Sequence, residues 1–559
     1  MFAAAYQQAT DPVGGSVGLS AIFAALPLVV LFVLLGGLRM KAQWAALISL
    51  AVSIVVAIVV YGMPVGQTLN ASVEGAMFGF FPILWIVINA IWVYNMTVRS
   101  GHFAVLRRSF GGISNDQRVQ AVIVAFAFGA LIEGLAGFGA PVAISAVMLV
   151  GLGFQPIKAA ALALIGNTAP VAFGSIATPI ITLAEITGLP KDDLGAMAGR
   201  QTPLLALFVP LILVYVVDGR RGLRQTWQPA VVAGVAFAIG QFVSSNYLSV
   251  ELTDIIGALV ATAALVAFLR VWKPSEPLIV DAAPGRPAVA GAAGREEILE
   301  RDIRRRDQEV DSRRDIYEAY APYLIIVAVF VVAKLIPPIA DFLKSVTIQF
   351  QWPGLDVVNA KGEPPRSATF NFNWLEAPGT IVLICGLLTM VALRIGVGRA
   401  VEAYAETLKQ LRWAIVTVMA VLALAYVMNL SAMTTTLGQA AAATGGFFVF
   451  LSPIVGWLGV AVTGSDTSSN ALFGTLQITA AKEIGVSATL LAAANSSGGV
   501  LGKMISPQNL AIGAAAVGMA GQEGDIFRKV LGWSLFMTLV MCILVVLQAS
   551  ALSFMITGP

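Results

Sequence analysis

The chain has 559 residues, of which 58% are hydrophobic and 12% are charged. A soluble globular protein carries about 25% charged residues, so the charge content excludes a purely soluble protein. The formal net charge of +3 comes from 34 basic and 31 acidic residues, a balance that offers no basic face for nucleic acid. The composition predicts an all-α polytopic membrane protein that does not bind nucleic acid.

Histidine and cysteine are too sparse for a metal centre. The single histidine, His102, lies among the arginines of a basic loop and is interpreted as a surface residue. Cys385 and Cys542 each lie within an apolar run, with no CxxC pair. The sequence also lacks an HExxH motif, which argues against a membrane metalloenzyme. We therefore expect neither a metal nor a cofactor, and no enzymatic activity.

Apolar runs long enough to cross a bilayer recur along the chain. A spanning helix needs about 20 mostly apolar residues, and the chain supplies about 12 such runs. They are residues 19–38, 42–62, 77–98, 156–184, 202–217, 228–245, 251–270, 320–340, 377–395, 413–430, 486–520 and 530–553. The runs 156–184 and 486–520 are too long for one helix and contain polar and Gly/Pro segments at 167–170 and 495–499. Each is predicted to be a helix broken at that segment.

Two further apolar stretches, 120–152 and 449–481, are interrupted near their middles. The first interruption runs from Glu133 to Pro141 and is rich in glycine, and the second runs from Thr463 to Asn470 and is rich in serine and threonine. Each half is shorter than a spanning helix, so each stretch is predicted to be a re-entrant hairpin.

The distribution of Lys and Arg predicts the orientation. The loops 63–76, 246–250 and 431–448 contain no Lys or Arg, and the loops 185–201 and 341–376 on the same side contain a few among acidic residues, whereas the loops on the other side are basic. Cytoplasmic loops carry the excess of positive charge. Both termini are therefore predicted to lie outside.

The chain divides at a charged segment and repeats on either side of it. An offset of 328 residues places Asn167 on Asn495, Gly174 on Gly502 and Pro179 on Pro507. The predicted divisions are a first repeat at 1–218, two linking spans at 219–274, a charged cytoplasmic linker at 275–319 and a second repeat at 320–559. An odd number of spans in each repeat, with an even number between them, makes the repeats inverted. Inverted repeats with broken helices are typical of secondary transporters, whose sites lie at the bilayer midplane.

Four segments carry a resemblance to a known family. They are FGALIEGLAGFGAPVA (128–143), GNTAPVAFG (166–174), TGSDTSSNALFG (463–474) and ANSSGGVLGKMISPQN (494–509). With these segments the chain resembles the bacterial L-lactate permease family, and it is distantly similar to the ion transporter superfamily. The resemblance implies proton-coupled symport of L-lactate and related 2-hydroxymonocarboxylates such as glycolate across the bacterial inner membrane. The implied partners are a small carboxylate, protons and membrane lipid, and a homo-oligomer is left open.

The hairpin tips and helix breaks supply the candidate substrate-binding residues. Glycine lets backbone approach a ligand, and Ser, Thr and Asn side chains orient it by hydrogen bonds. The candidates are Gly137, Phe138, Gly139, Asn167, Thr168, Ser465, Thr467, Ser468, Ser469, Asn495, Ser496 and Ser497. The alternative is that the polar members only satisfy the amides of broken helices.

Three ionisable residues are the proton-coupling candidates. An acid at bilayer depth costs about 2.5–3.5 kcal/mol, so Glu133 and Asp466 are expected to have a function or a partner. In the alternative interpretations, Glu133 accepts structural hydrogen bonds from hairpin amides, and Asp466 caps the returning half-helix. Lys503 is expected to pair with Asp466 or with a substrate carboxylate, or else to reach the inner surface.

A second transport hypothesis stays open at this stage. A sodium-coupled carrier of a larger organic anion, such as a dicarboxylate, would place its cation among the same Ser, Thr and Asn side chains. Sodium-dependent and pH-dependent uptake distinguish the two hypotheses.

Overall fold

The computed structural model of the chain describes residues 5–137, 139–278, 311–359 and 362–558. Nearly all of its regular structure is helical, which confirms the predicted fold class. Helices of the first half are Val17–Phe32, Ala42–Val59, Val65–Phe78, Trp85–Arg99, His102–Gly111, Gln117–Ala121, Gly129–Leu135, Ala140–Gly151, Pro156–Gly166, Gly174–Thr187, Lys191–Ala198, Thr202–Val243 and Thr253–Val271. Helices of the second half are Arg313–Leu335, Pro337–Ser345, Pro378–Ala392, Val397–Leu430, Met433–Ala442, Phe448–Thr463, Asp466–Ile484, Ala488–Gly502, Pro507–Ala516 and Glu523–Gln548.

Short π-helical and 3-10 segments join several of these helices. The π-helical segments are Val33–Gly37, Gly79–Leu84, Val122–Phe128 and Ser244–Leu248. The 3-10 segments are Val171–Phe173, Val250–Leu252, Arg366–Ala368, Gly445–Phe447, Lys503–Ile505 and Ser553–Met555. Strand Tyr6–Gln7 pairs in parallel with Val357–Val358, and Ile348–Gln351 pairs antiparallel with Thr369–Phe372.

Within the described residues, ten helices are long and apolar enough to cross a membrane, or eleven if the bent pair Pro156–Gly166 and Val171–Thr187 is one span. The predicted spans 202–217 and 228–245 lie in one helical segment, Thr202–Val243, that is interrupted by non-helical backbone at Asp218, Gly219 and Thr226. The count of twelve spans and the inverted orientation of the repeats stay predictions.

Both predicted hairpins consist of two helical arms around a break. In the first, the arm Gln117–Leu135 and the helix Ala140–Gly151 are separated by residues 136–139, of which Gly137 and Gly139 have φ of 46° and 83°. In the second, helices Phe448–Thr463 and Asp466–Ile484 meet at Gly464, which has φ of 75°. Glycine adopts positive φ at no steric cost, so it permits both tips. Re-entry of the hairpins into the membrane stays a prediction.

The first broken helix is interrupted where expected, but the second is not. The halves of the first helix meet at a bend of 64° after Gly166. In the second, the predicted break at Asn495–Gly499 is wrong, because these residues lie inside the helix Ala488–Gly502. The interruption comes at Lys503–Ser506, and the next helix begins at Pro507.

Close helix packing explains why the small residues 495–499 do not break the helix. A Cβ on Gly498 would lie 2.2 Å from the Pro453 carbonyl oxygen, and one on Gly499 would lie 2.3 Å from Asp466 Oδ1. These glycines therefore let helix Phe448–Thr463 and the Asp466 carboxylate approach the helix closely, which is a common use of glycine between membrane helices.

The hairpins and broken helices of the two halves pack against each other. Helix Ala140–Gly151 of the first hairpin packs against Pro507–Ala516 of the second broken helix. Reciprocally, Gly174–Thr187 of the first broken helix packs against Asp466–Ile484 of the second hairpin. Each hairpin therefore meets the broken helix of the other half, which is the arrangement that a shared central site requires.

Helix Val397–Leu430 packs against three elements of the first half, Ala42–Val59, Val65–Phe78 and Trp85–Arg99. Gly75 permits one of these contacts, because a Cβ there would lie 2.6 Å from the Leu422 carbonyl oxygen. The spans that we expect to form a scaffold, 77–98 and 413–430, are thus in contact with each other.

Arg118, in the segment that leads into the first hairpin, is fully buried. Its guanidinium lies 2.6 Å from Asp116 Oδ2 and 3.1 Å from Asp218 Oδ2, and it donates to the Glu276 carbonyl oxygen. The Leu278 amide also donates to Asp116, so the start of the charged linker is held against the first hairpin. Burial raises the pKa of Asp116, but hydrogen bonds from Arg118 and Leu278 outweigh it and leave this pKa below its usual value. Linker residues 279–310 lie outside the described residues.

Replacing Asp116 by Asn should destabilise the protein, because a buried guanidinium loses its main partner. Breaking a buried pair costs about 3–5 kcal/mol when the remaining charge has no partner, and because Asp218 still faces Arg118 we expect a loss below this range. Thermal unfolding in detergent measures the loss, and Asp192→Asn, at an exposed carboxylate 3.8 Å from Lys191, is the control. Since the folded pKa of Asp116 is lowered, its contribution is present above its unfolded pKa of about 3.9 and is lost as pH falls through the folded value. Equal unfolding temperatures for the two variants would contradict this account.

Impermeant thiol labelling of intact cells should report the orientation. In a background without the buried Cys385 and Cys542, single cysteines at Ala443 and Lys482 should react from outside. Cysteines at Gly101 and at exposed Asn115 should react only after the membrane is opened. Labelling of both pairs from the same side would show that the repeats are parallel.

Candidate functional site

A cavity of about 860 Å³ lies between the two hairpins and the two broken helices. Its mouth includes the exposed side chains of Arg39, Lys41 and Trp413, and its floor includes the buried side chains of Glu133 and Lys503. Positive charge at the mouth of a cleft raises the local concentration of anions. The cavity is large enough for a small organic anion, because ligand sites typically enclose about 300–1,000 Å³.

A buried ion pair joins the two halves at this floor. Lys503 Nζ lies 2.6 Å from Glu133 Oε1, and the two side chains are 9% and 4% exposed. Asn167 Nδ2 donates to Glu133 Oε2 at 3.1 Å, so both carboxylate oxygens have a partner. Lys503 therefore pairs with Glu133, not with Asp466 as one interpretation expected, and it does not extend to the surface.

The fold brings Lys503 and Glu133 together at interruptions in two helices. Lys503 begins the 3-10 turn that ends helix Ala488–Gly502, and Glu133 lies in the last turn before the first hairpin tip. Gly174 provides the space, since a Cβ there would lie 2.6 Å from Glu133 Oε1. The ion pair thus depends on a hairpin tip, a helix break and a glycine from three separate segments.

Asp466 is the first residue of the returning arm of the second hairpin and also lines the cavity. Its Oδ2 accepts a hydrogen bond of 2.6 Å from Ser496 Oγ, whereas Oδ1 has no hydrogen-bond partner among the described residues. The cap of this arm is Ser465, whose hydroxyl accepts from the Ser468 amide. Asp466 is therefore not the capping residue, and one of its oxygens is free to bind a proton or a ligand.

A polar network behind Asp466 fixes the second hairpin. Asn495 Nδ2 donates to Asn470 Oδ1, and Gln477 Nε2 donates to Asn495 Oδ1. Asn470 Nδ2 in turn donates to the Pro179 carbonyl oxygen of the first broken helix. Asn495 thus holds the returning arm in place and does not line the cavity.

The first broken helix contributes hydroxyls that the sequence analysis did not select. Ser175 and Thr178 both line the cavity, and Ser175, Ile176 and Ala177 have φ of 46°, 57° and 56°. Left-handed backbone costs L-residues roughly 1–2 kcal/mol each, and such strain clusters at functional sites. The repeat offset of 328 residues is the sequence signal that identifies these two hydroxyls, because it places Ser175 on Lys503 and Thr178 on Ser506.

The predicted site residues divide into those that line the cavity and those that support it. Lining residues from the prediction are Glu133, Ser465, Asp466, Thr467, Ser468 and Lys503. Supporting residues do not line it and are Gly137, Gly139, Asn167, Thr168, Ser469, Asn495, Ser496 and Ser497. Phe138 lies outside the described residues.

The supporting residues act in different ways. Gly137 makes room for Ser175, whose Oγ would lie 2.1 Å from an added Cβ, and Gly139 makes room for Ile512. Ser469 donates to the Gly456 carbonyl oxygen and Thr168 to the Leu164 carbonyl oxygen. Ser469 and Thr168 therefore satisfy backbone groups, as the alternative interpretation proposed for them.

His102 lies away from the cavity. Its Nδ1 is 2.8 Å from Ser100 Oγ, and its Nε2 is 3.6 Å from Glu318. Over the described parts of the chain, no group of three or more His, Cys, Asp or Glu residues is arranged to hold a metal ion.

Known proteins resemble this chain over most of its length. A family model described as L-lactate permease matches residues 20–552. Glycolate permease GlcA of Escherichia coli (strain K12) is 43% identical and is covered over 98% of both chains. An L-lactate permease of Bacillus subtilis (strain 168) is 40% identical, with 99% of this chain and 100% of that protein covered. Among solved structures, the Alcanivorax borkumensis YdaH transporter matches with a TM-score of 0.45 and 15% identity, over 86% of this chain and 89% of that one.

Substitution of Gly499 by Ala should impair transport without preventing insertion. The new Cβ would lie 2.3 Å from Asp466 Oδ1, so the carboxylate must move. A displacement of about 1 Å at a site costs on the order of 10²-fold in rate, and we expect uptake to fall by about tenfold or more. Gly524→Ala, at a cavity-lining glycine with open space around it, is the matched control. Normal uptake by Gly499→Ala would show that the position of Asp466 is not critical.

Proposed function

Because the chain belongs to the L-lactate permease family, we propose that it transports L-lactate and related 2-hydroxymonocarboxylates, including glycolate, together with protons across the bacterial inner membrane. The relatives that support this substrate class are permeases for L-lactate and for glycolate. Sequence identity of 40–43% over nearly the whole chain is high enough to carry the family assignment.

The observation that carries the proposal is the buried Lys503–Glu133 pair on the cavity floor. A buried ammonium group at the floor of a cavity is a suitable partner for a monocarboxylate. Hydroxyls of Ser175, Thr178 and Ser468 line the same cavity and can bind the substrate hydroxyl and carboxylate oxygens. A 2-hydroxymonocarboxylate has one group for the cation and one for the hydroxyls, so it fits both features.

Coupling follows from competition for Lys503. While Glu133 is ionised, it occupies the ammonium group that the substrate carboxylate needs. Protonation of Glu133 removes this competitor and leaves Lys503 free to bind the substrate. Proton binding and substrate binding thus favour each other, which is thermodynamic coupling between two ligands.

The net charge of the site also predicts that proton binding and lactate binding are coupled. Lys503, Glu133 and Asp466 together are neutral when the two acids share one proton. The site is neutral again when both acids are protonated and one lactate is bound, whereas a proton alone or lactate alone leaves one uncompensated charge. Buried uncompensated charge is strongly unfavourable, so only the empty and the fully loaded protein should reorient readily. One proton then accompanies each lactate.

We assign the transported proton to the two acids jointly. Glu133 contacts Lys503 directly, and Asp466 lies within electrostatic reach of the same ammonium group. Ser496, held on the neighbouring helix, fixes one oxygen of Asp466 and leaves the other free.

The membrane arrangement is part of the proposal. The protein is multi-pass, with both termini on the outer side, and the cavity mouth at Arg39 and Lys41 faces the cytoplasm. Basic residues at this mouth agree with the excess of Lys and Arg in cytoplasmic loops.

Uptake of labelled L-lactate into proteoliposomes tests the function. An inward proton gradient should drive accumulation, and an imposed sodium gradient at equal pH should not. Sodium-dependent uptake that ignores the pH gradient would overturn proton coupling and support the sodium-coupled organic anion carrier.

Replacement of both acids by their amides should separate coupling from binding. The double variant Glu133→Gln/Asp466→Asn keeps side-chain size but has no acid left to carry the proton, so it should insert normally and lose uphill accumulation, whereas each single variant keeps one acid beside Lys503 and part of the coupling. Exchange of internal for external lactate at equal pH should persist within about threefold, because exchange needs no net proton transfer. Glu402→Gln, at a largely exposed carboxylate that does not line the cavity, is the control for removal of an acid. Full uphill accumulation by the double variant would remove both acids from the mechanism.

A further inference from the structure

Asp254 is a buried acid for which the proposed coupling mechanism has no role. It lies in the first turn of helix Thr253–Val271 and is 1% exposed. Its Oδ1 accepts a weak hydrogen bond of 3.4 Å from Gln241 Nε2, and its Oδ2 has no hydrogen-bond partner among the described residues. An acid buried in an apolar helix is a functional candidate by default.

Asp254 packs directly against the tip of the first hairpin. A Cβ added to Gly134 would lie 3.2 Å from Asp254 Cβ, and the residue before Gly134 is Glu133. The charges of Glu133 and Lys503 both act on Asp254, so the three groups belong to one electrostatic cluster. Gly134 therefore permits a third ionisable group to approach the Lys503–Glu133 pair from behind the cavity floor.

A second cavity, of about 370 Å³, reaches the segment just before Asp254. Glu251 and Ser249 line it, and Glu251 is roughly one helical turn from Asp254. Glu251 Oε1 lies 2.6 Å from Lys191 and 3.6 Å from Lys334, and Ser249 donates to Oε2. Glu251 is thus held by two lysines, whereas Asp254 has no cationic partner in direct contact among the described residues.

The two cavities open at opposite ends of helix Glu523–Gln548. Glu523, at its first residue, lines the main cavity. Asn246, which lines the second cavity, contacts Arg200, and Arg200 donates to the Met555 carbonyl oxygen beyond the other end of the helix. A helix of 26 residues is about 39 Å long, enough to span a bilayer. Glu133 lines the main cavity, and Asp254 follows Glu251 of the second cavity by three residues.

We propose that Asp254 passes the proton between the second cavity and Glu133, along a route separate from the substrate cavity. This inference rests on the proposed proton coupling and adds the path by which the proton reaches the site. The charged groups around Asp254 are Glu133 and Lys503 on one side, and Glu251 with Lys191 and Lys334 on the other.

The transfer is a simple proton exchange. Asp254, buried with no cation in contact among the described residues, rests as the neutral acid and gives its proton to the Glu133 carboxylate, so that the Lys503–Glu133 ion pair breaks. Asp254 then regains a proton from hydronium in the second cavity, which leaves water, and is neutral again. No other reactant is needed, and Lys503 is left free for the substrate carboxylate.

The test compares net transport with exchange in proteoliposomes that contain the full chain. In Asp254→Asn, accumulation of labelled L-lactate driven by a pH gradient should slow by at least about tenfold, since proton transfer groups contribute 10²-fold or more to rates. Lactate exchange at equal pH should stay within about twofold, because exchange needs no proton delivery. Thr262→Val, on the same helix and bonded only to the Ala258 carbonyl oxygen, is the matched control for helix packing.

Each outcome either supports or overturns the inference. Equal accumulation by the wild type and Asp254→Asn removes Asp254 from the proton path and leaves the proposed function intact, whereas pH-independent uptake by the wild type removes the proposed function itself. Parallel loss of exchange and accumulation would show a structural role and overturn the inference. If Asp254→Asn does not insert, Asp254→Glu decides: a changed pH profile of uptake supports the relay, and an unchanged profile refutes it.

Discussion

The ion pair between Lys503 and Glu133 is the interaction on which the central structure depends. It joins the break of the second broken helix to the tip of the first hairpin, two segments 370 residues apart in sequence. Either charge alone is strongly destabilising at this buried position, because removing one partner of a buried pair leaves an uncompensated charge. The pair therefore holds the two halves together at the floor of the cavity.

Glycine determines how closely the groups around this pair approach. Gly174 admits the Glu133 carboxylate, Gly499 admits Asp466, and Gly134 admits Asp254. In each case an added Cβ would meet the acid or its stem at 3.2 Å or less. The acids are thus placed by the absence of side chains on neighbouring helices, not by dedicated hydrogen-bond donors alone. This arrangement packs titratable groups tightly in a region of low dielectric, where their charges interact strongly.

Two sets of contacts between the halves of the chain are available for a conformational change. Each hairpin packs against the broken helix of the other half, and helix Val397–Leu430 packs against three helices of the first half. A carrier of this kind alternates access by moving one such unit against another around a fixed site. The described state has its larger cavity at the Arg39 and Lys41 end, and the smaller cavity at Glu251 lies near the other end of helix Glu523–Gln548.

The sequence by itself determined the membrane class, most helices, the two hairpins and the first helix break, because these follow from local apolar length and from Gly and Pro. It also selected Glu133, Asp466 and Lys503, since charge is rare in apolar runs. Only the tertiary structure decided which acid pairs with Lys503, because that depends on contacts between segments hundreds of residues apart. It likewise placed the second break at Lys503 and not at Asn495: Gly498 and Gly499 serve close helix packing, and local sequence does not distinguish a packing glycine from a breaking one.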